Sequence, residues 1–236
     1  MSYYHELQKT MTEEKKRKAE KDFFAFYVGR PLSYCLTIPF LVFHVKPNTV
    51  SVISTIEVII AAVVLSGSTG LLGGIIGWTL FFLWNLLDGV DGNIARFRGI
   101  STPLGSVFDA MSGYAAMFLL FFSSGVYAFN NLESEFAYMQ IILGSISGMA
   151  ELFPRLVMHK AKGELGMSDN IIALADKENY GLLRVIGLNL TSITGMVQPL
   201  LLISVLLNKV YVFNYIYCFI NVAVMLVSLK KILSTR

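Results

Sequence analysis

Gly70-Leu-Leu-Gly-Gly-Ile-Ile-Gly-Trp-Thr-Leu-Phe-Phe-Leu-Trp-Asn-Leu-Leu87 runs for 18 residues without a charged side chain. A helix of that length rises about 27 Å, close to the roughly 30 Å of a bilayer's hydrocarbon core. Working outward, five more stretches are predominantly apolar and of similar length: Asn48–Ser66, Leu104–Phe129, Phe136–Met158, Asn189–Leu207 and Val210–Leu229. Together they predict six spanning helices. Pro31–Phe43 is also apolar, but it has only 13 residues and two prolines, which reads as an interfacial or re-entrant helix. Tyr3–Asp22 reads as a charged helix on the membrane surface.

The composition agrees. Of 236 residues, 55% are hydrophobic and 15% charged, against about 25% charged in soluble domains. Mean hydropathy is +0.61. Eleven of the 35 charged residues fall within the first 22, so too few remain to cover a water-exposed surface. The expected fold is all-α: a polytopic bundle of six transmembrane helices (48–236) preceded by an N-terminal interfacial segment (1–47). The charged opening predicts no secretory signal peptide. Cys35 and Cys218 lie far apart in apolar stretches and read as free thiols. Residues 1–47 carry eight Lys/Arg against five Asp/Glu, which matches the net charge of +3, suits anionic lipid headgroups and implies no nucleic-acid partner.

Orientation follows from the distribution of Lys and Arg. With the N-terminus in the cytosol, 18 of the 19 basic residues fall inside, and only Lys209 falls outside. Both termini are then cytosolic, as are the two longest loops, 88–103 and 159–188. Long loops tend to carry function, so any chemistry is expected on the cytosolic side of an inner membrane or its equivalent. The pairs Gly73/Gly77 and Gly144/Gly148 are spaced for close helix approach.

The chemistry is concentrated just past Leu87, in Asn85-Leu-Leu-Asp88-Gly-Val-Asp91-Gly92-Asn-Ile-Ala95-Arg96, followed by Gly105 and Asp109. Asp88 and Asp91 are three apart and share a helical face, and Asp109 arrives from the next helix. Carboxylates near hydrocarbon are costly unless a cation compensates them. Three hard oxygen donors suit Mg²⁺ or Mn²⁺. Gly92, Ala95 and Gly105 leave room for a ligand to approach backbone, and Arg96 can grip phosphate with two N–H donors. Metal and phosphate in one cytosolic cleft point to phosphoryl transfer on a nucleotide-linked substrate.

These residues resemble the signature of the CDP-alcohol phosphotransferases (CDP-alcohol phosphatidyltransferases), Asp-x2-Asp-Gly-x2-Ala-Arg-x8-Gly-x3-Asp-x3-Asp. Asp88, Asp91, Gly92, Ala95, Arg96, Gly105 and Asp109 occupy seven of its eight fixed positions. The eighth, an Asp in the family that is a metal ligand and the proposed base, is Gly113 here. Pro47-Asn48-Thr-Val-Ser51 is similar to a Pro-Asn-x-x-Thr element of the same family.

The resemblance implies a membrane transferase that moves a substituted phosphate from a CDP-linked alcohol to an acceptor hydroxyl and releases CMP, in phospholipid or surface-polymer synthesis. It implies Asp88, Asp91 and Asp109 as catalytic metal ligands, and Asn48, Ser51, Gly92, Ala95, Arg96 and Gly105 around the nucleotide. The acceptor would be a lipid or a phosphorylated polyol or sugar, and the protein a homodimer among membrane lipids. The alternatives are a family member that binds metal and nucleotide without turnover, supported by Gly113, and a transporter, which the clustering of charge at one face disfavours.

Three residues outside the signature complete the expectations. Glu57 lies about 14 Å into its span, near the depth of Gly113, and is expected to enter the cavity as ligand or base. Arg155 forms an i,i+4 pair with Glu151 and is the candidate for binding an acceptor phosphate. His159 reads as a solvated loop residue.

Overall fold

The computed structural model describes residues 3–100, 102–165, 187 and 189–234. Among these there are nine α-helices and no strand. They are α1 (Tyr3–Lys9), α2 (Glu13–Glu20), α3 (Arg30–Val42), α4 (Pro47–Gly67), α5 (Gly70–Arg98), α6 (Pro103–Asn131), α7 (Met139–Leu165), α8 (Val197–Leu206) and α9 (Val210–Ser234).

Local chemistry sets the ends that matter for the site. Pro47 and Pro103 each open a helix, where a missing N–H costs nothing and φ is already helical. Thr102 caps α6 by accepting a hydrogen bond from the Gly105 N–H at 3.0 Å. Gly99 ends α5 at φ +64°, a left-handed conformation suited to glycine, and Ile100 N–H closes the turn on the Ala95 carbonyl at 2.9 Å. This sharp stop lets α6 start four residues later, so Asp109 on its second turn returns toward Asp88 and Asp91.

Helices α4, α5 and α6 pack around Val58, Leu65, Phe81, Trp84, Leu120 and Phe121. A Cβ at Gly77 would lie 2.8 Å from Leu65 side-chain atoms, which shows how closely α4 and α5 approach. The Gly125 and Gly144 backbones also touch, joining α6 to α7, and α9 covers α7. Outward-facing Val63, Leu72 and Phe219 are 66–78% exposed. That surface suits lipid and would be a liability in water.

Among the described residues six helical segments are long and apolar enough to cross a membrane, the expected number. Five overlap the expected spans, but α5 continues past Leu87 to Arg98, so most of the expected 88–103 loop is helix. The sixth expected span differs in form. Asn189–Leu207 yields only the ten-residue α8 but still runs along α5, with Asn85 donating to the Thr194 carbonyl and Trp78 to the Gln198 carbonyl. Ala25–Val42, expected to be interfacial or re-entrant, forms an 18-residue apolar helical run. Two physical causes account for this. Pro31 has no N–H and would strike a carbonyl one turn back, but a π turn at Ala25–Gly29 widens the spiral and carries the helix through. In the other segment, Asn189 donates to the Lys21 carbonyl at 2.6 Å, and Ser192 donates to Asp22 at 2.7 Å. Those polar side chains bond to the N-terminal region, and α8 starts only after Met196.

Candidate active site

Asp88, Asp91, Gly92, Ala95 and Arg96 lie along the last turns of α5. They face a cavity of about 590 Å³ whose other walls are the N-terminal ends of α4 and α6. Asn48 and Ser51 enter from α4, Gly105 and Asp109 from α6. The structure therefore gathers in one cavity the seven matching signature positions together with Asn48 and Ser51. A volume of this size is typical of small-molecule sites.

Asp91 is buried and tightly held: Ser51 Oγ donates to Oδ2 and the Gly92 N–H donates to Oδ1. Asp88 Oδ1 is buried and has no hydrogen-bond partner. An orphaned carboxylate oxygen in a cavity with two further carboxylates is the donor chemistry a hard divalent cation takes. Among the described residues, however, no three His, Cys, Asp or Glu side chains are drawn together as closely as a finished ligand set.

Arg96 lies back along α5, donating from Nη2 to Asn93 Oδ1 at 2.7 Å. A Cβ at Gly92 would come within 3.1 Å of Arg96 Nη1, so glycine there gives the guanidinium its place. A Cβ at Gly105 would sit 3.5 Å from Asn48 Oδ1, so this glycine keeps α6 close to the start of α4. Below the carboxylates, Ser112 accepts from Trp84 Nε1 at 2.8 Å and from Ser54 Oγ at 2.9 Å. These three buried side chains tie α4, α5 and α6 together.

The residues proposed outside the signature are not brought to the cavity. Glu57 lies two turns beyond Ser51 on α4, is absent from the lining, and has a buried, unpartnered Oε1. Ser54, one turn nearer, reaches Ser112 instead. Gly113 is also outside the lining, and no atom lies within 4 Å of where its Cβ would stand. Arg155 is exposed on α7 and lines no part of the cavity. His159 is helical rather than in a loop, and its Nδ1 is hydrogen-bonded to the Tyr114 hydroxyl.

Sequence reasoning missed several participants. Lys46 and Arg98 add positive charge to the lining. Asn93 donates to Ser33 Oγ at 3.1 Å and to Thr37 Oγ1 at 3.0 Å, fixing α3 against the site. The i,i+4 spacing of Ser33 and Thr37 was the available signal.

The sequence model of the CDP-alcohol phosphatidyltransferase family matches residues 44–228, which takes in α4 through most of α9. The chain belongs to this family. Its N-terminal helices α1–α3 lie outside the match. No curated protein and no solved structure matches the chain. Members of the family are in general divalent-metal dependent, and six apolar helices with this membership make the chain an integral membrane protein.

Proposed function

We propose that this chain is a membrane CDP-alcohol phosphotransferase whose cavity between α4, α5 and α6 holds the donor's cytidine diphosphate. The observation that supports this is the convergence of Asn48, Ser51, Asp88, Asp91, Gly92, Ala95, Arg96, Gly105 and Asp109 on one cavity. Asn48 and Ser51 stand on the nucleotide side, and Gly92, Ala95 and Gly105 leave room for the donor against backbone. Arg96, braced by Asn93, stands at the wall of this cavity and adds its positive charge, with one N–H within reach of a donor phosphate. Bound Mg²⁺ or Mn²⁺, held by Asp88, Asp91 and Asp109, supplies neutralisation of the diphosphate charge.

In the transfer, the acceptor hydroxyl oxygen forms a bond to the donor's β-phosphorus. The bond from that phosphorus to the bridging oxygen breaks, CMP departs with the oxygen, and a phosphodiester remains. Gly113 offers no carboxylate to take the hydroxyl proton, so that proton leaves to solvent water entering the cavity from the cytosolic side. Arg155 would meet the acceptor's phosphate only where the acceptor reaches beyond the cavity toward α7. The protein works as a homodimer with both termini and the cavity on the cytosolic side, in phospholipid or surface-polymer synthesis.

The test is release of CMP from a labelled CDP-alcohol by the purified chain. Release that requires Mg²⁺ or Mn²⁺ and is abolished in Asp91→Asn supports the reading. Binding of CDP and Mg²⁺ without release, across lipid, polyol and sugar acceptors, selects the non-catalytic family member instead. Reporter fusions at each terminus test orientation, and a terminus found outside refutes that part.

A further inference from the structure

Behind the wall formed by Asp88, Gly89 and Arg96 lies a second cavity of about 180 Å³, between α3 with its π turn, α5, and Thr194. Two arginines, Arg30 and Arg96, line it, and the positive charge of Arg30 acts on Arg96. Arg30 is poorly satisfied for a guanidinium. Among the described residues its buried Nε has no hydrogen-bond partner, and its Nη1 meets the Met11 thioether at 3.2 Å. Its Cζ lies over the Phe26 ring, 5.8 Å from the centroid. Among the described residues no carboxylate pairs with it.

Two like charges across a small polar pocket, one with an orphaned donor, form a costly arrangement unless something anionic bridges them. Guanidinium groups satisfy phosphate oxygens in pairs and with high directionality. The polar lining continues with Ser33 and Asn93, already bonded to each other at 3.1 Å and so fixed in position. Among the described residues of the wall Asp88 is the one acid, against two arginines.

We propose that this pocket is a second oxyanion subsite that takes a phosphate group between Arg30 and Arg96, distinct from the donor diphosphate in the larger cavity. Arg30 and Ser33 precede residue 44, where the family match begins, so one of the two arginines of the subsite comes from the N-terminal region outside that match. The phosphate belongs either to a soluble phosphomonoester or to a lipid headgroup. The subsite stands whether or not the larger cavity turns over.

The experiment uses the full chain in a neutral detergent and reads the thermal unfolding midpoint. Inorganic phosphate and a short-chain phosphatidic acid are titrated separately, with CDP plus Mg²⁺ as a third arm for the larger cavity. One or both phosphate probes should raise the wild-type midpoint. Arg30→Gln should raise the half-saturating concentration at least tenfold, Arg30→Lys should recover part of the loss, and the CDP response should be unchanged. Phosphatidic acid acting at tenfold lower concentration than phosphate assigns the site to a lipid headgroup, and the reverse order assigns it to a soluble phosphate. If Arg30→Gln does not fold, Ala25→Leu, which fills the pocket from the π turn without removing a charge, should give the same loss. A wild type that responds to neither probe, or a response that survives the variant, overturns the subsite. Loss of the CDP arm alone bears on the proposed function and not on this pocket.

Discussion

Ser51 is the clearest place to test how the site is held. Its hydroxyl, buried at the start of α4, donates to Asp91 Oδ2 across to α5, while the Gly92 N–H fixes Oδ1. Ser51→Ala removes one of two restraints on a carboxylate that must face the cavity. A hydrogen bond to a charged group contributes about 1.5–3 kcal/mol. If that energy is spent orienting Asp91 in the transition state, kcat/KM for CMP release should fall roughly 10- to 160-fold. The assay is CMP release at saturating Mg²⁺, with monodispersity in detergent as the check on folding. Ser54→Ala is the matched control, since Ser54 bonds to Ser112 and touches no carboxylate of the cavity. Its activity loss should be several-fold smaller. A Ser51→Ala enzyme within threefold of wild type, or a Ser54→Ala loss of equal size, refutes the reasoning.

Gly113→Asp should fold normally, since nothing lies within 4 Å of the new Cβ. It should raise the rate of CMP release by about 10²-fold, the lower range for a positioned base, and an unchanged or lower rate counts against the water-mediated proton transfer. Gly144→Val should loosen the α6–α7 contact, because its Cβ would meet the Phe121 carbonyl oxygen and lie 3.1 Å from Gly125 Cα. A loss of about 1–3 kcal/mol is expected, read as a lower unfolding midpoint in detergent, and an unchanged midpoint contradicts the packing. Chelation with EDTA should stop CMP release, and Mg²⁺ or Mn²⁺ should restore it. Release that persists after exhaustive chelation rules out metal dependence.

Much was legible because membrane physics writes itself into composition. A segment that must satisfy its backbone inside lipid has to be an apolar helix of sufficient length, so the five long spans α4–α7 and α9 could be read directly. The site was legible for a related reason. Carboxylates beside hydrocarbon are expensive, so Asp88, Asp91 and Asp109 stood out, and the short turn at Gly99 left them little choice but to converge.

What the sequence by itself determined, then, was the spanning helices and the acidic cluster, both consequences of local cost within one or two adjacent elements. Only the tertiary structure decided the rest. It carried the chain through Pro31 by a π turn, and it shortened the Asn189–Leu207 stretch by bonding Asn189 and Ser192 to the N-terminal region. It left Glu57 and Arg155 outside the cavity and set Arg30 beside Arg96 from 66 residues away. Such contacts join positions distant in the chain, where rotation about a helix axis by a single residue moves a side chain about 100°. Depth along a span can be counted from sequence, but azimuth is fixed only when the helices pack.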